Sequence, residues 1–254
     1  EHPVPKYTVV DHIPYRPAIE LAPYPKAGDP NPLVRLGVSR IAGGDPLWVD
    51  LTAYSAIEFL LVDVDWAPGA RDVVFQVQDR EQTWLDLNLA DAASGKSRTV
   101  LRETTRAWVD TNGNPLWLSA RSGYKHLYRY KTDGTQLGQV TMGRWDFRTL
   151  YGVDESKGVA YFSAGEHRHI DTDIYGAKLD GTGMTRLSQT PGTHRASFDP
   201  TYTRFVDYWS DVSTPPQARL SRADGREIRV IEANQVKALA EAARNRGAAV
   251  TLVA

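Results

Sequence analysis

The sequence predicts an all-β protein, a partial β-propeller of about four to five four-stranded blades with one short C-terminal helix. Two observations carry most of that prediction. A short pattern recurs at Leu127–Gly134 (LYRYKTDG), Ile174–Gly181 (IYGAKLDG) and Ala218–Gly225 (ARLSRADG), with Asp-Gly pairs 47 and 44 residues apart and a looser copy at Leu87–Gly95 (LNLADAASG). Each copy is an alternating strand, a turn of Asp, Ser and Gly, and a second strand. Asp-Gly between extended runs signals a hairpin, because glycine accepts the positive φ that the turn demands. Repeats of roughly 40–50 residues with that grammar indicate propeller blades. In addition, seven Trp and twelve Tyr suit pleated faces on which aromatics pack well.

The elements follow in order. Residues 1–32 carry eight prolines between Pro3 and Pro32, which removes ladder donors and predicts an extended Pro-rich arm. Residues 33–232 read as the propeller. Within them, 33–41 (LVRLGVSRI) and 46–51 (PLWVDL) form a hairpin around Gly43-Gly44. The first blade runs from Ile57 to Leu101 with strands FLLVDVDW, DVVFQVQD, WLDLNLA and SRTVL. The second spans Ala107 to Met142, the third Trp145 to Leu187, and the fourth His194 to Ile231. Residues 233–254 read as an exit helix and the start of a linker. The helix is 235–246 (QVKALAEAARNR), with Asn234 as N-cap, an apolar stripe of Val236, Leu239, Ala240 and Ala243, and Gly247 as the stop. The run 248–254 (AAVTLVA) resembles the beginning of a strand. Together with an opening Glu-His-Pro, this makes the sequence read as a piece of a longer protein. Four blades and a fraction also leave edge strands that a closed ring would protect.

Composition narrows the function classes. Thirty basic and thirty-one acidic residues give a net charge of −1, so no global field recruits nucleic acid or a membrane surface. No run approaches the roughly 20 apolar residues that span a bilayer. The absence of cysteine excludes disulfides, thiolate zinc sites and cysteine nucleophiles. It leaves the compartment open, with a periplasmic or secreted location favoured over a cytoplasmic one.

Catalytic motifs are missing. There is no G-x-S-x-G elbow, no phosphate-binding G-x-x-x-x-G-K-[ST], no dinucleotide G-x-G-x-x-G and no H-E-x-x-H. No cofactor or metal is expected. The most metal-like stretch is Glu166–Asp173 (EHRHIDTD). In a strand, His167, His169, Asp171 and Asp173 would share one side as imidazole and carboxylate ligands; the alternative is a polar loop or hairpin tip entering the strand at Ile174, with Arg168 neutralising part of the charge. Asp63 and Asp65 could face a tunnel as the paired carboxylates of a glycosidase, or could cap the turn that follows. The aromatic-basic stretches Tyr124–Tyr130 and Arg144–Arg148 suit single-stranded nucleic acid, but their alternation is more simply that of blade strands with one buried and one wet face. Trp108 and Trp145 precede blade-entry segments, where such residues pack between blades or line a funnel.

At Tyr24–Val38 (YPKAGDPNPLVRLGV) the chain resembles the propeller of the dipeptidyl peptidase IV family of prolyl-type serine peptidases. Further matches run in order through Val64–Trp66, Trp108-Val109, Trp117–Tyr130 (WLSARSGYKHLYRY), Trp145 and Ile228–Asn234 (IRVIEAN). The resemblance implies an eight-bladed propeller stacked on an α/β-hydrolase domain that releases N-terminal dipeptides with Pro or Ala second. It implies that the catalytic serine, aspartate and histidine follow the propeller, and that the glutamates gripping the substrate's amino group precede the arm, so no catalytic residue is expected here. Residues 1–28 would match the arm that helps pair two subunits into a homodimer. The loop after Trp108-Val109 touches substrate in the family. Here it is short, Asp110–Asn114, which leaves Trp108 and Asp110 as candidate contacts to a peptide substrate. The alternative is a stand-alone propeller that binds peptides or proteins without a hydrolase.

Overall fold

Alternating sequence puts most of the chain into antiparallel meanders. The computed structural model describes residues 4–67, 69–104, 116–131 and 133–235. The fold is all-β, a partial propeller. Its first blade is β5 (Phe59–Trp66), β6 (Asp72–Asp79), β7 (Trp84–Asp91) and β8 (Ser97–Thr104), hydrogen-bonded in that order. The second shows three strands among the described residues, β9 (Leu116–Ser119), β10 (His126–Tyr130) and β11 (Gln136–Gln139). The third is β12 (Phe147–Asp154), β13 (Val159–Ala164), β14 (Asp173–Lys178) and β15 (Met184–Arg186). The fourth is β16 (Thr193–Phe198), β17 (Arg204–Ser210), β18 (Gln217–Arg222) and β19 (Glu227–Glu232).

The arm departs from a single extended run. Its β1 (Lys6–Asp11) and β2 (Ala18–Pro23) pair antiparallel from Lys6 opposite Pro23 to Asp11 opposite Ala18. The prolines permit this because Pro14 and Pro17 lie in the tip and Pro23 at a strand end, where no interior ladder bond needs their missing N–H. The next hairpin is shorter than its alternation suggests: only β3 (Gly37–Val38) and β4 (Leu47–Trp48) pair. One 3-10 turn, Thr52–Tyr54, was not legible in the sequence. The expected helix and the strand-like 248–254 lie outside the described residues from 236 on. Asn234, expected as the helix's cap, has φ +45° and donates its side-chain N–H to the Pro216 carbonyl.

The chain divides into two compact units, the first holding β1–β8 and the second β9–β19. In the first, Phe75, Val77 and Ala90 of one sheet pack with Val49 and Tyr54 from the segment before it. In the second, two cores alternate with blades. Leu127, Trp145, Phe147, Phe162 and Tyr175 join the second and third blades. Tyr161, Ile174, Leu187 and Phe205 join the third and fourth. Each fully buried Phe contributes about 2–3 kcal/mol by area alone. The rings of Phe147 and Phe162 also stack, with centroids 4.6 Å apart.

The repeated Asp-Gly pair has a physical explanation. The aspartate caps its own turn: Asp180 Oδ1 accepts the Thr182 N–H at 2.9 Å, and Asp224 Oδ1 accepts the Arg226 N–H at 3.0 Å. The glycine takes φ +76° at Gly181 and +87° at Gly225. A Cβ on Gly181 would stand 2.6 Å from the Gln139 carbonyl oxygen, and one on Gly225 2.5 Å from that of Leu187. The turns of the third and fourth blades thus press against the last strand, or the residue just after it, of the blade before. The repeat marks blade packing as well as a hairpin.

Candidate functional site

The expected substrate contacts Trp108 and Asp110 lie outside the described residues. Trp145, their counterpart one blade on, is buried between blades. Its ring meets His126 edge-on at 4.7 Å and stacks on Phe162 at 6.2 Å. It is a packing residue.

Asp63 and Asp65 sit on β5 after a bulge between Leu61 and Asp63. Asp65 Oδ1 accepts the N–H of Trp66 at 2.7 Å, so it caps the strand end locally. With Val64 and Trp66, both about half exposed, Asp65 borders a shallow recess of about 220 Å³ that also involves Leu36 to Ser39. That recess offers an open apolar face with one engaged carboxylate, and it lacks the enclosed carboxylate pair that glycoside hydrolysis requires.

The stretch Glu166–Asp173 is a loop, and only Asp173 belongs to a strand. Extended geometry would have aligned two histidines and two aspartates, but a turn closed by Asp171 N–H to the Arg168 carbonyl breaks that alignment and leaves only His167 near Asp173, at 4.0 Å. Arg168 pairs with Asp171 at 3.4 Å, while Asp173 turns inward and accepts the Ser188 hydroxyl at 2.6 Å. Among the described residues, no group of three or more His, Cys, Asp or Glu side chains is placed to hold a metal ion. The stretch is a loop whose aspartates are buried and whose His167, Arg168 and His169 lie towards solvent.

The aromatic-basic stretch at β10 also differs from a one-face-wet strand. His126, Leu127 and Tyr128 are all buried, and only Arg129 faces out. Leu127 of this strand packs with Trp145, Phe147 and Phe162 towards the third blade, and His126 is enclosed by Thr141 and the Gly143 carbonyl.

The arm is the most exposed feature with an organised base. Tyr7 donates its hydroxyl to Asp29 Oδ2 at 3.0 Å, the same oxygen accepts the Lys26 N–H at 3.0 Å, and the Lys26 ammonium lies 4.0 Å from the Tyr7 ring centroid. The hydrogen bond to Asp29 raises the Tyr7 pKa above its usual value. Gly28, at φ +92°, lets the chain turn so that Asp29 reaches back. The YPKAGD segment is therefore a clasp on the foot of the β1–β2 hairpin. By register, Thr8, Val10, Leu21 and Ile19 share one face of that hairpin, and Ile19 and Leu21 are 71% and 60% exposed.

Three buried polar groups escaped the sequence reading. His194 binds Asp207 and the Thr190 carbonyl. His126 spans the Thr141 hydroxyl and the Gly143 carbonyl. Asp86 is held by Tyr54 and Arg102. Histidine and aspartate within apolar alternation were the available signal.

Comparison with known proteins identifies the setting of these features. The family described as dipeptidyl peptidase IV (DPP IV) N-terminal region matches residues 1–216. The chain is similar to a protein named Probable dipeptidyl peptidase 4 from Aspergillus fumigatus, at 27% identity over 207 residues, covering 73% of this chain and 26% of that one. It is also similar to Dipeptidyl peptidase 4 of Trichophyton equinum, at 26% identity over 233 residues, covering 83% of this chain and 29% of that one. The crystal structure of Porphyromonas gingivalis dipeptidyl peptidase 4 shares the fold, with TM-score 0.82 and 24% identity over 94% of this chain and 35% of that one. The chain spans between a quarter and a third of the length of the two fungal relatives. No helix among the described residues is long and apolar enough to cross a membrane. The match over residues 1–216 places the chain in the dipeptidyl peptidase IV N-terminal region family.

Proposed function

We propose that this chain is the non-catalytic propeller portion of a dipeptidyl peptidase IV-like serine exopeptidase that releases N-terminal Xaa-Pro and Xaa-Ala dipeptides. The observation that carries the reading is the family match along residues 1–216, set against relatives named dipeptidyl peptidase that are several times longer. In this role the blades restrict access to a hydrolase site, admitting peptides and excluding folded proteins, and contribute no nucleophile. The reading frame separates this from a stand-alone binding scaffold. A frame continuing past Ala254 into a G-x-S-x-G elbow supports the peptidase, and a stop codon at that point supports the scaffold.

The same reading assigns the arm to subunit pairing. An exposed apolar face on a hairpin whose foot is clasped by Asp29 suits a self-complementary contact across a two-fold axis. Charging that face with Ile19→Glu and Leu21→Glu together is expected to weaken dimerisation by about 100-fold or more, since apolar anchors at an interface centre cost about 2 kcal/mol or more each. Sedimentation equilibrium reads the change, and a dimer of unaltered affinity would remove the arm from the interface.

A further inference from the structure

The seam between the third and fourth blades buries three carboxylates, on Asp171, Asp173 and Asp207, and one titratable cation, on His194. The imidazole is enclosed, and each of its nitrogens faces an acceptor. Nδ1 lies 2.9 Å and 2.8 Å from the two oxygens of Asp207 on β17, and Nε2 lies 2.7 Å from the Thr190 carbonyl oxygen. A carbonyl cannot donate a hydrogen bond, and a carboxylate donates only when protonated. A neutral ring would therefore turn a bare lone pair towards one of them at hydrogen-bond distance. Only the imidazolium satisfies both. His126 shows the contrast: one of its nitrogens faces the Thr141 hydroxyl at 3.2 Å, and a hydroxyl can donate, so that ring is satisfied with one proton.

Thr190 belongs to the connector between β15 and β16, the covalent link from one blade to the next. Three carbonyls of this connector are each held. That of Thr190 is held by His194, that of Pro191 by the Trp209 indole N–H at 3.0 Å, and that of Gly192 by the Thr172 N–H at 3.1 Å. Of these donors only the imidazole can lose its proton near neutral pH. We propose that His194 is a pH-sensitive clasp: as an imidazolium it fastens the Thr190–Gly192 connector to β17, and its deprotonation frees the Thr190 carbonyl and loosens the joint between the two blades.

The surrounding charges agree with that assignment. Asp173 of β14 adds a second negative group near the ring. Its own neighbours are Arg186 at 3.8 Å and His167 at 4.0 Å. Arg219 of β18 donates to the Thr190 hydroxyl at 3.1 Å, and its charge rests over the Trp209 ring at 4.2 Å. Burial pulls the His194 pKa down, but the Asp207 hydrogen bond and charge, the Thr190 carbonyl and Asp173 outweigh it and leave it above 6.5. The sign follows from linkage. The folded state holds a proton that the unfolded state releases, so the clasp's contribution is complete below the unfolded value. It declines as pH rises through the higher folded value.

Side-chain ¹⁵N NMR of the whole 254-residue chain at about pH 6.5, the ordinary histidine value, tests this directly. The resonance of His194, assigned through bonds or by its loss in His194→Gln, is expected to show both nitrogens protonated. A singly protonated ring would overturn the proposal. Asp207→Asn should convert the ring to the neutral form at the same pH, and retention of two protons there would also overturn it. The melting-temperature gap between wild type and His194→Gln should be widest at about pH 6 and shrink towards alkaline pH. A pH-independent gap would contradict the switch. Should His194→Gln fail to fold, the wild-type spectrum decides alone.

Discussion

Replacing Gly225 by alanine is expected to lower the unfolding free energy by about 3 kcal/mol. Two costs combine. At φ +87° a non-glycine residue is strained, at about 1–2 kcal/mol. The new Cβ would also stand 2.5 Å from the Leu187 carbonyl oxygen and 2.9 Å from its Cα, both backbone atoms that cannot turn aside. Forcing atoms into a filled space costs about 1–3 kcal/mol. Two other glycines separate the costs. Gly123 has φ +97° and open space within 4 Å of where a methyl group would stand, so its alanine variant should lose only the backbone share. Gly183 has neither feature, and its variant should stay within about 0.5 kcal/mol of wild type. Denaturant midpoints of the three variants check the order. Equal losses at Gly225 and Gly123 would mean that the contact between blades does not constrain the repeat.

Asp86→Ala is expected to cost about 3 kcal/mol. The carboxylate is buried and accepts a forked pair of hydrogen bonds from Arg102, both at 2.6 Å, as well as the Tyr54 hydroxyl at 2.9 Å. Arg102 stands directly opposite on β8, and its guanidinium lies 4.4 Å from the Trp84 ring centroid. Breaking a buried pair commonly costs about 3–5 kcal/mol. The lower end applies because Arg102 is half exposed and can turn to water once its partner is gone. Tyr54 cannot, and it retains only Asn88 and Thr99 as partners. Asp86→Asn keeps an acceptor for Tyr54 and should lose about half as much. Urea denaturation distinguishes the two variants, and an Asp86→Ala variant as stable as wild type would show the network to be dispensable.

Much of this fold was legible because the signals were local. The strands of the first blade fall where alternation and turn residues placed them, within a few positions, since period-two patterning and Asp-Gly turns act over fewer than about ten residues. The arm hairpin was not legible. Proline density argued against pairing, and only the register shows that Pro14 and Pro17 fall in the tip. The faces of β10 were misjudged for a related reason. Alternation reveals a wet face only when a strand has one, and three consecutive residues of β10, His126 to Tyr128, are buried.

Candidate chemistry was less legible than fold. The shared face of His167, His169, Asp171 and Asp173 is broken by a single turn that composition does not announce. Asp86 and His194 sit in apolar runs, where a polar residue signals a buried partner without saying which. That partner comes from 16 residues away for Asp86 and 13 for His194, and strand pairing alone sets those distances. The YPKAGD segment stood out in the sequence, but its task became evident only when Asp29 was seen to hold Tyr7, 22 residues earlier.

The proposed role places the catalytic groups of an exopeptidase outside these 254 residues. Release of Gly-Pro from a chromogenic Gly-Pro substrate tests it most directly, comparing the 254-residue chain with the product of its complete reading frame. Turnover is expected from the complete product and none from the chain alone. Robust turnover by the isolated chain, or a folded complete product that leaves the substrate intact, would contradict it.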